Sequence, residues 1–220
     1  MTDFDTWESY FYPTPDNATL RNLLGERDPA VLAQKEHARA AWRQRQLNAD
    51  PSLIAPTYDA EHLRAIHRYL FQDVYEWAGE CRTQNMSKPG MAGSFAEVKT
   101  GAVDRYLGDA QRLAQQAVWE RLDREQFGAA AAAVFAHVNQ AHPFREGNGR
   151  CSKVFMEHVT QQSRFTLDFA RVSPRVWNQA SALSGPDLGK YEVVADSLVP
   201  VFRHIAVERS WPATVRTEER

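Results

Sequence analysis

Apolar residues recur at helical spacing along most of this chain. From Ala60 to Ala78, the residues Leu63, Ile66, Leu70, Val74 and Trp77 follow one another at three or four positions, which predicts one helix with a single buried stripe. From Arg124 to Gln140 the stripe is Phe127, Ala131, Val134 and Val138, continued by Ala141. Start signals agree with the periodicity. Asp28 before Pro29, and Ser173 before Pro174, each join a capping side chain to a proline suited to the first helical position. Asp123 can cap the helix that starts at Arg124.

Further helices are expected over Ala30–Leu47, which lacks breakers, over Ala96–Trp119, weakened by Gly101 and Gly108, and over Arg150–Gln162, whose Val154, Phe155 and Val159 mark it as central. One more runs from Pro174 to the break at Ser184-Gly185-Pro186, and a last one spans Leu188–Val207. Gly79 is placed to end the second helix as a C′ glycine. Residues 80–95 are polar and broken by Pro89, Gly90 and Gly93, and hold the only β structure expected, a hairpin. The reading is all-α: seven or eight helices in one domain over residues 1–207, an irregular arm at 1–28, a flap at 80–95, and a polar tail at 208–220 expected to be disordered.

Composition narrows the function classes. Hydrophobic residues make up 43% and charged residues 25%, ordinary for a globular domain. A net charge of −2 argues against a nucleic-acid binder driven by counterion release. The cluster Arg39, Arg43 and Arg45 reads as a solvated helix face. Two cysteines, Cys81 and Cys151, make no metal spacing and no disulfide framework, which fits a reducing interior. No apolar run is long enough to span a bilayer, and the start has no signal-peptide pattern. The expected location is cytoplasmic; secretion by a route with non-cleaved signals stays compatible.

The chemistry concentrates in HPFREGNGR, His142 to Arg150. Gly147 and Gly149 bracket Asn148 directly before a helix, so consecutive amides and the helix's positive end can cradle phosphate without a lysine. Arg150 can add a two-pronged contact to phosphate oxygens. A carboxylate there would repel a polyphosphate unless a cation stood between, so Glu146 is a candidate Mg²⁺ ligand. His142 is placed to accept a proton from a hydroxyl. Phe144 reads as a core anchor and Cys151 as a small buried filler. Zinc patterns and Walker A or dinucleotide spacings are missing.

The same stretch resembles the signature of Fic-domain proteins, H-x-F-x-[DE]-G-N-G-R-x-x-R, with every defined position matched up to Arg150 and Lys153 where the family has a second arginine. LRAIHRYLFQDVYEWAGECRT (63–83) is similar to the helix before that family's flap, and MSKPGMAGSF (86–95) to the flap, with Lys88 and Phe95 at recurrent positions as target-docking residues. YFYPTPDNATLRNLLG, from Tyr10, resembles the start of bacterial Fic toxins inhibited by a separate small protein. The resemblance implies a Fic helical bundle and a protein adenylyltransferase, moving AMP from ATP to a Tyr, Ser or Thr hydroxyl of a target protein. His142 would be the general base, Glu146 the Mg²⁺ ligand, and Gly147, Asn148, Gly149, Arg150 and Lys153 the nucleotide-phosphate contacts. It also implies an antitoxin partner. Alternatives are transfer of UMP, phosphocholine or phosphate, or a weakly active nucleotide-binding module. Lysine at position 153 keeps the charge of the missing arginine but loses its fork.

Overall fold

The structure, a computed structural model, describes residues 4–87 and 93–209. Among the described residues there are seven α-helices: α1 Pro29–Ala49, α2 Ala60–Phe71, α3 Ala102–Gln116, α4 Arg124–Ala141, α5 Asn148–Val159, α6 Pro174–Leu183 and α7 Val199–Ile205. Local chemistry set most of their starts. The Asp28 side chain accepts from the amides of Ala30 and Val31. Asp123 and Gln126 form a reciprocal capping box, and Ser173 accepts from Val176 ahead of Pro174.

Helix α4 is the hub, packed on α3, α5 and α7. Its expected stripe of Phe127, Ala131, Val134, Val138 and Ala141 is buried throughout, and Ala132, Phe135 and Ala136 are buried beside it. A helix apolar over so much of its circumference belongs inside. Helix α5 packs on both α2 and α4, so the segment between α4 and α5 leaves the middle of the molecule.

Four expectations need correction. The second helix stops at Phe71, not Gly79. Residues 72–79 coil, and this coil sends Val74, Tyr75 and Trp77 into the core while the Val74 carbonyl accepts from Leu23. The expected helix Leu188–Val207 is mostly irregular: Leu188 is 93% exposed, Gly189 has φ +77°, and only Val199–Ile205 is α-helical. The strands also lie elsewhere. β1 (Phe165–Leu167) pairs antiparallel with β2 (Ala206–Glu208), with Thr166 opposite Val207. The described flap residues, 80–87 and 93–95, form no strand. Glu208 lies in β2, and the Arg209 amide donates to Arg164, so these two residues of the expected tail are held.

Candidate active site

The motif loop leaves α4 through His142, whose backbone is left-handed (φ 41°, ψ 57°). That conformation is uncommon for a side chain bigger than glycine, and it turns the chain sharply before Pro143. His142 is only 5% exposed, and its ring lies flat on Phe95 with centroids 3.6 Å apart. Its carbonyl accepts from Arg82 Nε at 2.8 Å. Arg82 also donates through Nη1 to Gln84 O (2.7 Å) and through Nη2 to Ala96 O (2.6 Å). Burial lowers the Arg82 guanidinium to about 10, so it stays charged at neutral pH.

The loop then folds on itself. The Asn148 side chain accepts from the Phe144 amide (2.9 Å) and donates to the Phe144 carbonyl (2.7 Å). The side chain is thus committed to the turn, and its backbone amide stays at the head of α5. Gly147, with φ +81°, is the N-cap, and a Cβ there would lie 2.4 Å from the buried Phe71 ring. The first bond of the α5 ladder runs from Cys151 N to Gly147 O (3.0 Å), leaving the amides of Asn148, Gly149 and Arg150 at the helix's positive end. Gly149 is helical, and a Cβ there would meet nothing within 4 Å. Of the two glycines, only Gly147 has a positive φ.

Glu146 is exposed; its Oε1 accepts from the Gly147 amide at 2.9 Å and lies 3.7 Å from Arg150 Nη2. Among the described residues no three His, Cys, Asp or Glu side chains converge as a metal cage. One outward carboxylate beside amide donors suits Mg²⁺, which keeps waters and takes its remaining oxygens from phosphates. Arg150 pairs through Nη2 with Glu36 of α1 and lies over the Phe71 ring at 4.8 Å. Lys153, one turn on, places its ammonium 5.1 Å from the ring centres of both Phe169 and Trp177, and burial lowers its pKa. Cys151 is the buried filler expected, its thiol pushed well up by burial. Lys88 lies outside the described residues, while Phe95 is buried against His142.

A cavity of about 310 Å³ opens beside this loop. Its lining includes His142, Asn148, Gly149 and Ser152 together with Phe135 and Trp177. Apolar rings with a few polar groups are the usual lining of a small-molecule site.

Three residues that sequence reasoning gave no role hold this geometry. Arg82 carries no local signal. His67 accepts the Gly79 amide at Nδ1 (2.8 Å), so Nε2 bears the proton and donates to the Glu146 carbonyl (3.0 Å). Its ring stacks on Phe144 at 3.8 Å, and burial drops its pKa to about 3. Glu36 had a signal: it sits in the buried stripe Leu32, Glu36, Ala40, Leu47 of α1, where an apolar residue is expected. A fourth contact ties in the arm, with the Arg145 guanidinium 3.9 Å from the Trp7 ring.

Residues 57–160 match the Fic/DOC family. The chain is 30% identical to protein adenylyltransferase VbhT of Bartonella schoenbuchensis over 91% of its own length, and spans 45% of that relative. It is 32% identical to the Sinorhizobium fredii protein named probable protein adenylyltransferase y4lH, over 73% of this chain and 80% of that one. The N-terminal Fic domain of a VirB-translocated Bep effector from Bartonella quintana, solved with bound ADP, superposes with a TM-score of 0.79 at 27% identity, covering 91% of this chain and 95% of the other. BepC from Bartonella tribocorum, solved with bound AMPPNP, gives 0.79 at 25% identity over 92% and 98%. With its motif loop set between α4 and α5 as described, and with relatives of this kind along most of its length, the chain belongs to the Fic/DOC family.

Proposed function

We propose that this protein transfers AMP from ATP to a Tyr, Ser or Thr hydroxyl of a target protein. The observation that carries this reading is the convergence, on one cavity, of the His142 ring and the amide-rich start of α5. The nucleoside would occupy the cavity against Trp177 and Phe135. The amides of Asn148, Gly149 and Arg150 would take phosphate oxygens, and the fixed dipoles there need no reorganisation as charge builds up. Gly149 presents no side chain, so phosphate can approach the backbone directly. Glu146 would hold Mg²⁺, which would supply positive charge to the phosphates.

His142 then removes the proton from the target hydroxyl. The oxygen forms a bond to the α-phosphorus, the bond from that phosphorus to the bridging oxygen breaks, and pyrophosphate leaves. Phe95 limits rotation of the imidazole from one face. Arg82 fixes the backbone that carries it. The names of the relatives support AMP as the transferred group, and the nucleotide-bound neighbours support the nucleotide.

The test is incubation with Mg²⁺, lysate and ATP labelled at either the α- or the γ-phosphate. Label should enter protein from the α position only; label from the γ position alone would replace this reading with phosphate transfer. We also propose inhibition in trans by a small antitoxin acting near Arg150 and Lys153. Co-expression with neighbouring short reading frames should relieve toxicity, and a lone protein that is harmless and inactive in every lysate would remove the toxin role.

A further inference from the structure

We infer that Glu36 is a positioning residue for nucleotide binding: with Tyr75 it forms a buried brace that presets the Arg150 guanidinium for phosphate. The inference rests on the reading of the motif loop as a phosphate site, and it concerns α1, which lies outside the family match at 57–160.

The burial pattern of α1 raises the question. Its inward positions are Leu32, Glu36, Ala40 and Leu47. Three fill the core, and the fourth carries a charge. Side-chain exposure is 8% for Glu36 and 30% for Arg150. A buried ion pair is a poor source of stability, because an apolar residue of similar size often serves as well or better. A carboxylate kept at this position therefore asks for another reason.

Its partners supply one. One carboxylate oxygen takes Arg150 Nη2, and the other takes the Tyr75 hydroxyl. Both oxygens are engaged, and both bonds cross between elements: Arg150 stands at the head of α5 and Tyr75 in the coil after α2. Burial and the neighbouring carboxylate push the Tyr75 phenol up, so it remains a donor throughout the working range of pH. The Phe71 ring supports the flat guanidinium from one side. Arg43, pairing with Asp73 through bonds of 2.7 Å, ties α1 to the same coil. The brace is thus anchored at its own base.

An unbraced arginine must be immobilised when phosphate binds, at an entropic cost equivalent to roughly two- to tenfold in affinity. Here Glu36 and Phe71 hold it beforehand. The carboxylate is buried on the protein side and the guanidinium reaches solvent, so the outward N–H groups remain for the ligand.

The experiment measures ATP and adenosine affinities by calorimetry for the wild type, Glu36→Gln and Tyr75→Phe, with thermal unfolding of each. Gln matches the shape of Glu but loses the charge-assisted bond. ATP affinity should fall about fivefold in Glu36→Gln, with adenosine affinity unchanged. Tyr75→Phe should shift ATP affinity the same way by less, and it keeps the question answerable if Glu36→Gln fails to fold. A wild type that prefers ATP to adenosine, with variants that bind ATP equally well or more tightly, overturns the brace. A wild type with no preference for ATP overturns the phosphate-site reading itself, and the brace with it.

Discussion

Gly147 and Gly149 are two residues apart and do different work. Gly147 occupies a left-handed turn and has the Phe71 ring where a Cβ would go. Gly147→Ala should destabilise the protein by about 1–3 kcal/mol, through backbone strain and overpacking together. Gly149 is helical and open on its outer side. Gly149→Ala should leave stability level or raise it by up to about 1 kcal/mol, since alanine is the better helix former, while weakening ATP binding because the methyl group stands over the amides. Urea unfolding and ATP titration on both variants check the contrast. Equal losses of stability would mean that the loop is not built as described.

At the scale of elements, the flap, α4 and the motif loop meet on one buried cation. Arg82 donates to the carbonyls of His142, Gln84 and Ala96, and its own amide donates to Pro143. Arg82→Met leaves carbonyls buried without donors, so a loss of about 3 kcal/mol or more is expected in urea unfolding. A loss below about 1 kcal/mol would show that the flap base is held by other contacts. This scale also marks what the sequence made legible. Asp28-Pro29, Asp123 and Ser173-Pro174 announced helix starts because capping is settled within a few residues. The 188–198 segment and the β1–β2 pair depend on partners far along the chain, so periodicity could not find them. The site divides the same way. His142 and residues 146–150 fall within nine residues of sequence and were readable as a candidate site, whereas Glu36, His67 and Arg82 reach it across 114, 79 and 60 positions.

Across the whole molecule, buried histidines couple stability to pH. Burial lowers His67 to about 3 and His62 to about 4, the latter also through the facing His158 ring. The unfolded chain takes up these protons near 6.5 and the folded chain refuses them. Their contribution is therefore complete above 6.5 and declines as pH falls toward 4 and 3. Between pH 6.5 and about 5, each histidine should cost about 2 kcal/mol of stability. Urea midpoints at neutral pH and about pH 5, for the wild type and His67→Gln together, test this. Partly buried Glu157, raised to about 7, adds stability as pH falls over the same range, so the difference in acid sensitivity between the two proteins isolates His67 and should be about 2 kcal/mol. An acid sensitivity left unchanged by His67→Gln would contradict the neutral His67 that donates to Glu146.

The central claim is a division of labour: the main chain and Arg150 hold the nucleotide, and the His142 imidazole activates the acceptor. His142→Ala separates the two. Its ATP affinity, measured by titration, should stay within about twofold of the wild type, while transfer of AMP to protein, followed as the mass of the adduct, should fall by about 100-fold or more. Full transfer by His142→Ala, or loss of ATP binding in proportion to loss of transfer, would contradict it.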